Sequence, residues 1–165
     1  MDASSLRELQ KPLKDTYKTD PSAAVAHVHA EGSFADPGIT ATVATWSGPV
    51  RAGFHPTTGG DGSDACSADM LLQALVGCAG VTFRSVATAM SIDVRDVSVR
   101  ADGTFDARGT LGTDREARVG MSDIGLTFTF DTDADDAKVD KLLELTERYC
   151  VVAQTLNVPV TIQRG

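Results

Sequence analysis

The chain has 165 residues, 42% of them apolar, with a formal net charge of −8 and a pI near 4.7. That length and apolar content point to one domain with a real core, or to a subunit completing its core by dimerising, and exclude a disordered chain. The acidity excludes a nucleic-acid footprint, which needs a basic surface, and argues against an anionic membrane surface; we read it as solubility.

The N-terminus, Met1-Asp-Ala-Ser-Ser-Leu-Arg-Glu-Leu, is polar and charged and has no signal-peptide core. The longest apolar stretch, about Leu71 to Phe83, is short for a membrane span and is interrupted by Gln73 and Thr82. A cytoplasmic location without a membrane partner is the expectation. Thiols are kept reduced there, so a cysteine pair reads as catalytic or redox-active rather than as a permanent staple. Three cysteines are an odd count and no disulfide framework.

In chain order, Ser4 or Ser5 can cap a helix running to about Tyr17, ended by Asp20-Pro21. Strand-like alternation covers Ala24–Ala30, Ile39–Trp46 and Val50–His55. Pro56–Ser63 is the strongest loop. The period then becomes helical: Leu71, Leu75, Cys78, Val81 or Thr82, and Ser85 recur every three or four residues, with Ser67 as the expected N-cap and an end near Met90. Asp96–Thr104 and Ile124–Phe130 are strands, joined by a polar stretch with a hairpin connection. Thr132-Asp-Ala-Asp135 resembles a capping box opening a second helix, with Val139, Leu142, Leu143, Thr146, Tyr149 or Cys150, and Ala153 on its apolar stripe. Asn157-Val-Pro159 ends it, and Val160–Ile162 is a last strand. We divide the single domain, 1–165, into a helical extension (1–22), N-terminal strands and loop (23–62) and a helix–strands–helix–strand core (63–165). The first long helix has little polar surface, which favours a partner subunit.

Cys78 and Cys150, 72 residues apart, each fall on the apolar side of one of these helices, so helix packing can bring them together. A thiolate attacks an O–O bond to give a sulfenic acid, a second thiol condenses with it to a disulfide, and a reductant resets the pair. Such a thiolate needs a cation or hydrogen-bond donor nearby. Two small buried hydrophobes would give the same pattern. In that case the protein is a non-enzymatic dimer binding a small apolar molecule.

Other features carry less. His27-Val-His29 is half of a metal site with no completing ligand, so no metal is expected. Gly59-Gly-Asp-Gly62 lacks the Lys-Ser/Thr of a phosphate loop and reads as a turn, and no cofactor is expected. No Gly-x-Ser-x-Gly elbow is present. Cys66, near a helix N-terminus, reads as a bystander.

The segment Ser67–Phe83 with Leu71-Leu-Gln-Ala-Leu-Val-Gly-Cys78, the strand Gly125–Phe130, the helix ending Glu147-Arg-Tyr-Cys150, the tail Leu156–Thr161 and the Gly59–Gly62 loop together resemble the OsmC/Ohr superfamily of osmotically inducible and organic hydroperoxide resistance proteins. The resemblance implies an α+β fold, an intertwined homodimer whose two sheets wrap central cysteine-bearing helices. It implies a thiol-dependent peroxidase acting on organic hydroperoxides and reset by a dithiol, a lipoyl-type dithiol being one candidate. Cys78 matches the peroxidatic cysteine and Cys150 the resolving one. Asp69 stands where a glutamate stands in the most similar branch. It lies nine residues before Cys78, about 13 Å along a helix, so it would act through an arginine or from a partner subunit. Many members have Cys-Pro at the second cysteine; here it is Cys150-Val151. Family peroxidases use an N-terminal arginine; Arg51 is a candidate, although no motif fixes the match. We expect a pocket lined by Leu71, Leu75 and Phe83 to favour an apolar peroxide.

Overall fold

In the computed structural model, which describes residues 1–165, the chain opens with helix α1, Ala3–Thr19. Its cap is Asp2, not Ser4 or Ser5. The Asp2 carboxylate accepts from the Ser5 N–H and from the Ser4 hydroxyl, both at 2.8 Å. Aspartate caps as well as serine, and from this position it uses both serines as donors. Those bonds, led by the Ser5 N–H, hold its carboxyl down at about 2.

The strand expected over Ala24–Ala30 does not form. Pro21–Ala24 make one 3₁₀ turn capped by Asp20, and residues 25–31 have no regular structure. Val25, His27, Val28 and His29 are all exposed. Alternation favours a strand only where a sheet edge and a core receive it, and this segment has neither.

The first sheet has the order β1 (Gly32–Ser33), β2 (Ala41–Thr45), β3 (Gly48–Gly53) and β4 (Ala65–Cys66). β2 and β3 form an antiparallel hairpin with Val43 opposite Val50, and β4 joins β3 in parallel. The loop from β3 to β4 passes so close to its own start that a Cβ on Gly60 would lie 1.7 Å from the Phe54 carbonyl oxygen. Only glycine allows that approach, which explains Gly60 within the glycine-rich run.

Helix α2, Ser67–Ala89, follows directly. Its N-cap position is Cys66 rather than Ser67, with no side-chain bond to the first turn. At 23 residues it is long and apolar enough to cross a membrane by length and composition, which corrects the expectation from the shorter Leu71–Phe83 run. Its packing gives its apolar residues another role. Leu75, Ala79 and Phe83, one turn apart, are fully buried.

They face the second sheet, β5 (Arg95–Thr104), β6 (Ser122–Asp131) and β7 (Val160–Arg164). β5 and β6 pair antiparallel with Val99 opposite Phe128. Their connection includes the single-turn helix α3, Ala107–Thr110. β6 carries Ile124, Leu126, Phe128 and Phe130 on one buried face. Phe83 stacks on Phe128 with ring centroids 4.6 Å apart and tilts against Phe130 at 5.0 Å.

β7 runs parallel to β6, with Leu126 opposite Ile162. Parallel neighbours need a crossover, and here it is helical. Helix α4, Asp136–Tyr149, is capped by Asp135, whose carboxylate accepts from the Lys138 N–H at 2.9 Å. Thr132, expected to open a capping box, instead donates its hydroxyl to the Asp93 carbonyl at 2.7 Å. The second helix does not run unbroken to residue 157. It stops at Tyr149, and α5, Val151–Thr155, starts after Cys150. Val139, Leu142 and Thr146 of α4 complete the core against α2 and the sheet. The class is α+β with two sheets, as expected.

Candidate active site

Cys78 lies midway along α2 and is half-buried; Cys150 is fully buried. All three cysteines are free thiols. The helix break explains why Cys150 can face Cys78 with donors around it. Cys150 has extended geometry, φ −75° and ψ 105°. Its N–H still bonds the Thr146 carbonyl at 3.0 Å, and its carbonyl accepts from Gln154 N–H at 3.0 Å. The N–H groups of Val151, Val152 and Ala153 open the new helix, whose first donors have no carbonyl partner within it.

Those donors act on the thiols. Burial pushes the Cys78 thiol up, but the Val152 N–H, the Cys150 thiol, the Val151 N–H and the Thr82 hydroxyl outweigh it, and the net shift is downward. Burial pushes the Cys150 thiol up as well. The Ala153 and Val152 N–H groups oppose this, the adjacent Cys78 adds to it, and the net shift is upward. The two sulfurs therefore split: Cys78 ionises first while Cys150 keeps its proton and donates. On labelling the native reduced protein with iodoacetamide below about pH 8, Cys78 is expected to react at least tenfold faster than Cys150, read from peptide masses. Equal rates would remove the asymmetry.

The other expected site residues lie elsewhere. Asp69 is exposed in the first turn of α2 and makes no side-chain hydrogen bond or ion pair; it is not brought to the thiols. Arg51 on β3 donates its Nε to Asp64, and that carboxylate raises the guanidinium pKa further. The leading influences on Cys78 are neutral groups, not an arginine. Cys66 lines a cavity of about 410 Å³ with Phe54, His55, Leu71, Phe105 and Met121, away from the pair.

The expected pocket needs correction. Leu75 and Phe83 are core residues with no exposed surface, and Leu71 lines the Cys66 cavity. Helical spacing gives a residue's stripe but not which side of the stripe the sheet covers. A second cavity, of about 580 Å³, lies between α1, α2 and α4, walled by Leu6, Val81, Val86, Met90, Leu145 and Tyr149. Thr82 and Ser85 supply hydroxyls to its lining, and Lys14 a cation. Thr82 borders both this cavity and the Cys78 thiol.

Spacing puts Thr82 on the α2 stripe but marks neither its hydroxyl nor the N–H groups of Val151 and Val152 as thiol partners. The sequence carries no local signal for the latter, since Val151 stands where a proline would mark the first position of a new helix.

Residues 60–163 match the family described as OsmC-like protein. Among solved structures, the OsmC-like protein from Mycoplasma pneumoniae aligns with a TM-score of 0.67 at 13% identity, covering 85% of this chain and 98% of that one. The organic hydroperoxide resistance protein OsmC from Legionella pneumophila aligns at 0.64 and 17% identity, over 86% and 99%. The organic hydroperoxide resistance protein OhrB of Bacillus subtilis aligns at 0.55 and 17%, over 85% and 100%. No curated protein matches the sequence. At these identities the structural likeness is one of fold. The family match covers well over half the chain and includes α2, the second sheet and both paired cysteines, and so this chain belongs to the OsmC-like protein family.

Proposed function

We propose that this protein is a thiol-dependent peroxidase that reduces organic hydroperoxides. The observation that carries the reading is the meeting of two free thiols at the α4–α5 break, one made more acidic and the other less. The names of the Legionella and Bacillus structures, organic hydroperoxide resistance proteins, support the same class.

The Cys78 thiolate attacks the distal oxygen of R–O–O–H. The O–O bond breaks, its electron pair leaves on the R–O oxygen, which takes a proton and departs as the alcohol, and Cys78 becomes the sulfenic acid. The Cys150 thiol attacks that sulfur, an S–S bond forms and water leaves. A dithiol then reduces the disulfide by exchange. The cavity between α1, α2 and α4 takes the apolar group of the peroxide, which gives organic peroxides the advantage over hydrogen peroxide. The working unit is a homodimer in the cytoplasm. Exposed apolar side chains such as Val81, Phe34 and Ile39 support a partner subunit.

The test is peroxide consumption by the purified, reduced protein with a dithiol. Cumene hydroperoxide is expected to turn over at least about tenfold faster than hydrogen peroxide, a difference of roughly 1.4 kcal/mol in the barrier. Tenfold preference for hydrogen peroxide overturns the substrate assignment. No turnover of either by folded protein overturns the peroxidase and favours a dimer binding an apolar ligand.

A further inference from the structure

The structure points to one more participant. We propose that Thr82 is a positioning residue, whose hydroxyl rests on the Cys78 carbonyl while the thiol is protonated and turns to the Cys78 sulfur when it ionises. This inference rests on Cys78 being the attacking thiol of the proposed reaction.

The geometry begins with the helix. Thr82 follows Cys78 by one turn, and helical side chains lean toward the N-terminus, so residue 82 covers the turn that holds Cys78. The Thr82 hydroxyl donates to the Cys78 carbonyl at 2.9 Å. In the interior of an α-helix that carbonyl also receives the N–H four residues on, so the hydroxyl can leave without orphaning it. A threonine χ1 in a helix has two accessible wells, and a sulfur anion is a better acceptor than an already-bonded carbonyl. Thr82 is also half-buried, so the hydroxyl works where water competes poorly.

Other groups facing Cys78 do not make this donor redundant. The leading ones are burial, the Val152 and Val151 N–H groups of α5 and the Cys150 thiol, and of these only Cys150 titrates. No charged side chain of the surrounding elements, such as Lys14 on α1, Asp69 or Arg84 on α2, Arg100 on β5, or Glu147 or Arg148 on α4, is among the leading influences on Cys78. Thr82 comes after the α5 N–H groups and the Cys150 thiol in strength, but it is the donor contributed by α2 itself, and the one that also borders the α1–α2–α4 cavity. Thr82 is therefore the link between the sulfur and that cavity, whose lining includes neither cysteine.

The experiment measures Cys78 alkylation as a function of pH, by peptide mass, in the full-length protein and in Thr82→Val and Thr82→Ser. Valine keeps the shape and loses the hydroxyl; serine keeps the hydroxyl. Thr82→Val is expected to lower the rate at pH 6.5 by about five- to tenfold while leaving the high-pH plateau unchanged, and Thr82→Ser to follow wild type. A wild-type profile for Thr82→Val overturns the proposal. So does a Thr82→Ser profile as impaired as that of valine, or a loss at the plateau, since these report a packing role. Cumene hydroperoxide turnover is measured in parallel. A shifted profile without turnover in any form keeps Thr82 as the positioning group and rejects the peroxidase. Normal turnover with an unshifted profile does the reverse.

Discussion

Cys78→Ser is expected to lower cumene hydroperoxide turnover by roughly three orders of magnitude or more, with secondary structure unchanged. The side chain is half-buried on α2, and serine fits the space. What changes is the chemistry. A serine hydroxyl does not ionise near neutral pH under the influence of two backbone donors and a neighbouring thiol, and oxygen has no counterpart of the sulfenic acid. Turnover under saturating dithiol, compared with circular dichroism of the same sample, makes the measurement. Retention of more than a tenth of wild-type activity would move the attacking role to another thiol, with Cys66 next to be replaced.

Cys150→Ser separates the two halves of the cycle. The first equivalent of peroxide is still reduced, because Cys78 and its N–H donors remain. The sulfenic acid then lacks a partner held in place on the α4–α5 junction. Positioned groups react as if present at very high concentration, whereas a soluble dithiol must diffuse into a partly buried site. Steady-state turnover is expected to fall about a hundredfold, and excess peroxide carries Cys78 on to the sulfinic acid, read as a gain of two oxygens in its peptide. Undiminished turnover with no over-oxidation would make Cys150 a packing residue. Serine also places a hydroxyl where no surface is exposed, so a stability loss of about 1–3 kcal/mol accompanies the variant and is measured separately by melting.

Much of this was legible in the chain because burial writes itself as periodicity. The stripe Leu75, Ala79, Phe83 and the alternation Ile124, Leu126, Phe128, Phe130 are local records of a long-range contact. Ala24–Ala30 carried the alternation without the contact, and the segment remained irregular. The break at Cys150 left no trace in the apolar stripe, because Thr146, Cys150 and Ala153 are buried whether the helix is continuous or kinked. Spacing therefore placed both thiols on facing helices, but could not supply the N–H groups that distinguish them. Asp69 shows the opposite case. Its position in the chain matched a resemblance, while distance along a rigid helix keeps it from Cys78 within one subunit.

The parallel pairing of β6 with β7 has a consequence for folding. Cys150 rides on the crossover between those strands, and Cys78 precedes the β5–β6 hairpin. A crossover settles only when its second strand docks, and pairings of high sequence separation form late. Docking of residues 160–164 on β6 closes the crossover that carries Cys150, and so helps hold the α5 donors against Cys78. Reactivity of the pair is thereby expected to arise with the completed second sheet rather than with the separate helices.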